Sequence, residues 1–168
     1  MVDSINTWIY SCRFFTSIFQ YVCTIYFWSF FRILFPISSE IGWIYYISFY
    51  LLGIVFATLP SIFKHKNNPN YSSLGASGAV SAIVFAYIVI YPLRELGLIV
   101  IPGLFLPGFI FGILYLFAEH YLSKKQYSNI AHDAHISGSI FGIIFINAYD
   151  YNNLMLFFQK IIYYFQNF

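Results

Sequence analysis

The sequence from Gly75 to Tyr91 reads GASGAVSAIVFAYIVIY and contains no charged residue. A helix of about 17–25 mostly apolar residues spans the hydrocarbon core of a bilayer, so this stretch predicts a membrane helix over 75–91. Its small residues Gly75, Gly78 and Ala82 recur at helical spacing and lie on one face of that helix. Small residues in such a row let a second helix approach closely, so we expect tight helix packing along this face.

The rest of the chain has the same apolar character. Its 168 residues are 60% hydrophobic and only 8% charged, whereas soluble domains carry about 25% charged residues. The sequence therefore predicts an integral membrane protein. Lys and Arg number 8 against 6 Asp and Glu, a near balance that argues against a nucleic-acid partner. The two cysteines, Cys12 and Cys23, form neither a disulfide framework nor a CxxC metal pattern.

Charged residues and turn signals divide the chain into five apolar segments. They predict an all-α, polytopic bundle of about five spanning helices, over 14–31, 41–63, 75–91, 96–118 and 134–149. The tail over 150–168 has an apolar segment too short to span the bilayer and is predicted to lie at the interface. Because no internal repeat is visible, we expect a single membrane domain over residues 1–168.

Ser77 lies in the first turn of the helix predicted over 75–91. Backbone N–H groups in a first turn have no partner within the helix, and they favour negative charge together with the helix dipole. A serine nucleophile placed there has part of an oxyanion hole supplied by the backbone. The alternative interpretation is that this segment serves only helix packing, which is the commoner role of small residues in membrane helices.

His135 opens the last predicted spanning helix and shares a face with two glycines. Gly138 and Gly142 follow it at i+3 and i+7, so this face, like that of Gly75 and Gly78, is expected to permit close packing against a neighbouring helix. The alternative role is a histidine at a loop end that is hydrogen-bonded to a carbonyl.

A metal site is a further alternative for the same segment. Its ligands would be His132, Asp133 and His135, joined by His120 or His65. No pair among them has the i, i+4 spacing that places two ligands on one helix face, and Asp133 would point away from His132. We therefore predict no metal at this site, although a metal-binding transporter stays an alternative function.

The predicted topology brings Ser77 and His135 to the same side of the membrane. The helix predicted over 75–91 leaves one membrane face, the helix over 96–118 returns to it, and the helix over 134–149 leaves the same face again. Both residues therefore lie at similar depth in the membrane. A serine hydroxyl is a weak nucleophile until a base within hydrogen-bond reach takes its proton, and histidine is the natural base near neutral pH. The two residues together favour a catalytic dyad, for which no acidic third member is required if packing orients the imidazole.

Two short motifs carry a family resemblance. Residues 75–78 read GASG and match G-x-S-G, and residues 134–142 read AHISGSIFG and match A-H-x-x-G-x-x-x-G. In this order, at two helix starts, they resemble the rhomboid intramembrane serine proteases, over roughly residues 41–148. The resemblance implies that Ser77 is the nucleophile and His135 the general base.

The resemblance also implies the reaction and its setting. A rhomboid protease cleaves transmembrane or membrane-proximal peptide bonds of protein substrates that enter from the lipid bilayer. It proceeds through an acyl-enzyme and uses neither a metal nor another cofactor. The expected location is a multi-pass protein of the bacterial inner (plasma) membrane.

The N-terminal part departs from the family pattern. The bacterial family core has six helices, and its second helix carries an H-x-x-x-N motif whose side chains help to hold the oxyanion. Here the corresponding segment, residues 16–20, reads TSIFQ, and residues 1–64 contain no histidine. We therefore expect a shortened N-terminal part, with Gln20 and the Ser77 backbone N–H as oxyanion donors. The alternative function is a catalytically inactive rhomboid-like protein that binds membrane clients.

Overall fold

The computed structural model describes residues 42–67, 76–97, 103–124 and 132–167, with the side chain of His65 excepted. These residues are 83% helical, so the mostly helical architecture expected from the sequence is confirmed. The helix predicted over 14–31, together with Gln20 and Gly75, lies outside the described residues.

Five helices and two short strands make up this part of the chain. In order they are α1 (Gly42–His65), α2 (Ala76–Ile90), β1 (Glu95–Gly97), β2 (Phe105–Pro107), α3 (Gly108–Ser123), α4 (His132–Tyr149) and α5 (Asn152–Gln166). The chain divides into two compact units between Phe49 and Tyr50. The structure describes the first unit only over Gly42–Phe49, the first two turns of α1, and all packing discussed below lies within the second.

Helices α2 and α4 pack backbone against backbone. A Cβ atom built on Gly138 of α4 would meet the backbone of Gly78 on α2. One turn further on, a Cβ atom on Gly142 would meet the backbone of Ala82. No side chain fits at either glycine unless the helices separate, so these contacts fix the relative depth of the two helices.

Helix α1 packs against the same small-residue face of α2. A Cβ atom on Gly53 would lie 3.3 Å from Ala79, and one on Gly78 would meet Ala57 as well as the carbonyl oxygen of Ala134. Ala57 and Ala134 are both completely buried. The start of α2 is therefore held between α1 and α4.

The outer faces of the helices are strongly apolar. Large side chains such as Phe63 on α1 and Phe117 on α3 are more than two-thirds exposed, which suits contact with lipid. By length and composition, α1 is the one described helix able to cross a membrane, over Gly42–Lys64, while α2 and α3 are apolar but shorter. The predicted number of about five spanning helices thus stays a prediction.

The helix predicted over 96–118 differs from the structure at both ends. Residues Glu95–Gly97 instead pair antiparallel with Phe105–Pro107, and helix α3 begins only at Gly108. Proline has no backbone N–H to donate and fits a helix start better than its interior, so Pro107 marks where the helix begins. At the other end α3 continues to Ser123, which places Glu119 inside a helix rather than in a loop.

The tail after α4 forms a helix of its own. The Lys160 ammonium group of α5 donates a hydrogen bond to the carbonyl oxygen of Ile90, the last residue of α2 (2.7 Å). The rings of Phe109 and Tyr164 meet edge to face, with centroids 6.1 Å apart. Helix α5 thus packs near the C-terminal end of α2, and its predicted place at the membrane interface stays a prediction.

Candidate active site

Ser77 and His135 lie within hydrogen-bonding distance of each other. Ser77 is the second residue of α2, and His135 is in the first turn of α4. The serine Oγ is 3.0 Å from the imidazole Nε2. The glycine contacts between α2 and α4 bring two helix starts to the same depth, and this sets the distance between the two side chains.

The other nitrogen of the His135 ring faces a carboxylate. His135 Nδ1 lies 3.0 Å from Glu119 Oε1. Glu119 is on α3 and is only 9% exposed. Ser77 of α2, His135 of α4 and Glu119 of α3 therefore form one continuous row of hydrogen bonds, with one side chain from each helix. An ionised carboxylate only accepts hydrogen bonds, so the ring tautomer that satisfies both contacts donates from Nδ1 to Glu119 and accepts from Ser77 at Nε2.

Glu119 also binds a second histidine. Its Oε2 lies 2.5 Å from Nδ1 of His132, a residue that is only 5% exposed. Each carboxylate oxygen therefore serves one imidazole. Because His132 and His135 are three residues apart on α4, both rings reach the same carboxylate on α3.

An aromatic residue and a second serine lie beside this chain of hydrogen bonds. The ring of Tyr115 on α3 is 6.5 Å from that of His135, centroid to centroid. The Tyr115 and Ser81 hydroxyls share a hydrogen bond (2.9 Å), and Ser81 also donates to the carbonyl oxygen of Ser77 (3.3 Å). These contacts join α2 and α3 about one helix turn along α2 from Ser77.

Comparison with known families is consistent with this arrangement. Residues 6–150 match the sequence model of the Rhomboid domain. The chain belongs to the rhomboid family. Rhomboid proteins are integral membrane proteins, and they are generally serine proteases that act on membrane protein substrates within the bilayer. No curated protein and no solved structure matches the chain.

The metal ligands considered from the sequence are only partly brought together in this rhomboid protein. Asp133 forms an ion pair with Lys64 of α1 (2.6 Å), and His120 is exposed on α3. The group that the structure does assemble is Glu119, His132 and His135, whose potential ligand atoms lie within 4.8 Å of one another. Asp133 is not part of this cluster, because its carboxylate pairs with Lys64 on α1.

Glu119 is the site residue that the sequence reading missed. The sequence predicts a helix that ends at residue 118, whereas the helix continues to Ser123 and carries Glu119 inward. A signal was present, because Gly108, Gly112, Tyr115 and Glu119 recur at i, i+4, i+7 and i+11 along one face. An acidic residue on the small-residue face of an apolar helix indicates a functional site.

Proposed function

We propose that this rhomboid protein is an intramembrane serine endopeptidase in which Ser77 is the nucleophile and His135 the general base. The observation that carries the proposal is the 3.0 Å contact between Ser77 Oγ and His135 Nε2. That distance lies within the range in which a base takes a hydroxyl proton. The two residues lie on separate helices 58 positions apart in the chain, so local sequence does not force the contact.

The chemistry follows from this pair. As Ser77 Oγ forms a bond to the scissile carbonyl carbon, His135 Nε2 takes its proton, and the carbonyl oxygen becomes an oxyanion. The Ser77 backbone N–H and Gln20 are the proposed donors to that oxygen. His135 then gives its proton to the departing amine as the peptide bond breaks. Water, activated by the same imidazole, releases the acyl group and restores Ser77.

The proposed substrates are transmembrane proteins, cut within or next to their membrane segments. The exposed apolar side chains of α1 and α3 support an enzyme that meets its substrate in lipid, and we place it in the bacterial inner membrane. The proposed steps draw on side chains and backbone of this chain and on water, and they need no metal or other cofactor. Gly78, Gly138 and Gly142, with Gly75 before them, serve the close packing of α2 and α4.

A second candidate function is a catalytically inactive rhomboid that binds membrane clients. The observation favouring it is the sequence TSIFQ at residues 16–20, where active relatives are expected to carry H-x-x-x-N. Loss of one oxyanion donor typically lowers the rate by about 100–1000-fold. This candidate predicts that client proteins co-purify with the chain uncleaved.

A fluorophosphonate probe separates the two functions. Such a probe phosphonylates an activated serine with loss of fluoride, irrespective of the natural substrate, so we expect covalent labelling of the wild-type protein in detergent micelles. Ser77→Ala should abolish labelling. Ser123→Ala should retain it, because within the described residues the Ser123 hydroxyl donates to the carbonyl oxygen of His120 in its own helix turn (2.9 Å).

Two results would overturn the proposed function. One is Ser77→Ala cleaving a membrane substrate as fast as the wild type. The other is absence of labelling under conditions that label an active rhomboid protease, which would favour the client-binding protein.

A further inference from the structure

We propose that Glu119 is a positioning residue that orients His135, so that the site works as a Ser77–His135–Glu119 triad with His132 holding the second carboxylate oxygen. The proposal rests on the proposed serine-protease function and goes beyond its two-residue dyad. It replaces the expectation that ring packing alone orients the imidazole.

The first support is the continuity of the contacts. Ser77 Oγ, the two nitrogens of His135 and Glu119 Oε1 are joined by two successive distances of 3.0 Å. The carboxylate fixes the proton on Nδ1, which leaves Nε2 as the acceptor that must face the serine. When the ring takes the serine proton, the same carboxylate stabilises the positive charge, and it does so strongly in a site shielded from water.

The second support is the role of His132. Its Nδ1 lies 2.5 Å from Glu119 Oε2, and both residues are buried. A carboxylate held by one hydrogen bond rotates about its side-chain bonds, whereas one held at both oxygens presents a fixed face to His135. His132 therefore restricts Glu119 in the way that Glu119 restricts His135.

A purely structural role for Glu119 is the alternative. In that case the carboxylate would only join α3 to α4. One histidine would be enough to satisfy such a link, and burial of an ionisable group in an apolar helix is costly without a function. Here Oε1, the oxygen that His132 does not bind, lies against His135, whose other nitrogen meets Ser77. This observation favours the triad.

The first test is Glu119→Gln, which keeps the shape of the side chain and removes its charge. We expect the maximal rate of fluorophosphonate labelling to fall by about 10²–10⁴-fold, the range of a general acid–base contribution. The concentration of probe giving half that rate should change less than about threefold, because Glu119 does not touch the probe and that concentration reports binding. Glu119→Asp, which restores the charge on a shorter side chain, should recover part of the rate.

The second test separates positioning from structural support. In a His135→Ala background, Glu119→Gln should cause no further loss of labelling, because Glu119 acts through His135. A residue that only held the helices together would lower the rate by the same factor with or without His135. Thermal unfolding of each variant in the same detergent shows whether it is folded.

A matched control comes from the neighbouring residue on α4. Asp133 also joins two helices, through the ion pair of its carboxylate with Lys64 on α1 (2.6 Å). Asp133→Asn should keep the wild-type rate of labelling. His132→Asn should lower that rate by less than Glu119→Gln does.

The outcomes distinguish failure of the triad from failure of the proposed function. If the wild type is not labelled at all, the serine-protease function itself fails, and the triad with it. If the wild type is labelled and Glu119→Gln is labelled equally fast, only the triad fails. One equivalent of zinc bound by the wild type and lost in Glu119→Gln would also overturn the triad, because the carboxylate and both Nδ1 atoms would then be metal ligands.

Discussion

The two ends of the α2–α4 pair use polar residues differently. At the end where both helices begin, Ser77, His135, Glu119 and His132 bind one another side chain to side chain. At the end where both helices finish, Lys160 donates to the carbonyl oxygen of Ile90, and Asn153 Nδ2 donates to that of Ile146 (2.9 Å).

This difference supports the starting end as the place of the proposed chemistry. The last carbonyl groups of a helix lack partners within it, and amide or ammonium groups nearby satisfy them. The polar residues at the finishing end therefore serve helix stability. Those at the starting end bind each other in an order that runs from carboxylate to imidazole to hydroxyl, and helix stability does not require that order.

The largest expected effect comes from His135→Ala at the starting end. Removal of the general base of a serine hydrolase lowers the turnover by up to about 10⁶-fold. We expect fluorophosphonate labelling to slow by at least about 10³-fold, measured as the second-order rate constant, while the unfolding temperature stays within a few degrees. A rate near that of the wild type would remove His135 from the mechanism.

Gly138→Ala tests the packing that both ends share. The added methyl group would meet the Gly78 backbone, and overpacking of this kind costs about 1–3 kcal/mol. Because the displaced helix carries His135, we also expect about a 100-fold loss of labelling rate, typical of a misplacement of about 1 Å. The control is Gly42→Ala, because a Cβ atom on Gly42 meets no described atom within 4 Å. Gly103→Ala is unsuitable, because Gly103 has a positive φ of 87°. Equal rates for the two variants would contradict the close packing.

Lys160→Met probes the finishing end alone. It removes a hydrogen bond from a charged donor to the Ile90 carbonyl oxygen, worth about 1.5–3 kcal/mol. We expect a lower unfolding temperature and a labelling rate within about twofold of the wild type. A large loss of rate without loss of stability would show that the two ends are not functionally separate.

The smallest expected effect is that of Lys64→Met. Its ion pair with Asp133 is largely exposed on the lysine side, and such pairs contribute about 0–1 kcal/mol. Stability and labelling rate should both be close to those of the wild type. A stability loss of several kcal/mol in a thermal or denaturant titration would show that the pair is a major link between α1 and α4.

Short-range patterns in the sequence were enough to predict a mostly helical chain and its family. Gly138 and Gly142 follow His135 at helical spacing, and the corresponding small residues of α2 lie against them. Such spacing can be recognised in the sequence because it follows the period of a single helix.

The role of Glu119 and the start of α3 could not be predicted, because they depend on contacts between segments that are distant in the sequence. Hydropathy alone places a helix end just before the carboxylate of Glu119. Its partners His132 and His135 lie 13 and 16 residues further along the chain, outside the range of a local pattern. The sequence predicts that this helix starts at residue 96, because the run over 96–107 is apolar. The structure starts α3 at Gly108, after Pro107 and the β1–β2 pairing. Gln20 and Gly75 lie outside the described residues, so their predicted roles stay predictions.

The most direct measurement is the site of covalent labelling. The wild-type protein and the His135→Ala variant are treated with a fluorophosphonate and digested, and the modified peptide is identified by mass spectrometry. We predict a single adduct on Ser77 in the wild type, with at least about 10³-fold slower formation in His135→Ala. An adduct on another serine, or equal labelling of Ser77 in both proteins, would contradict activation of Ser77 by His135.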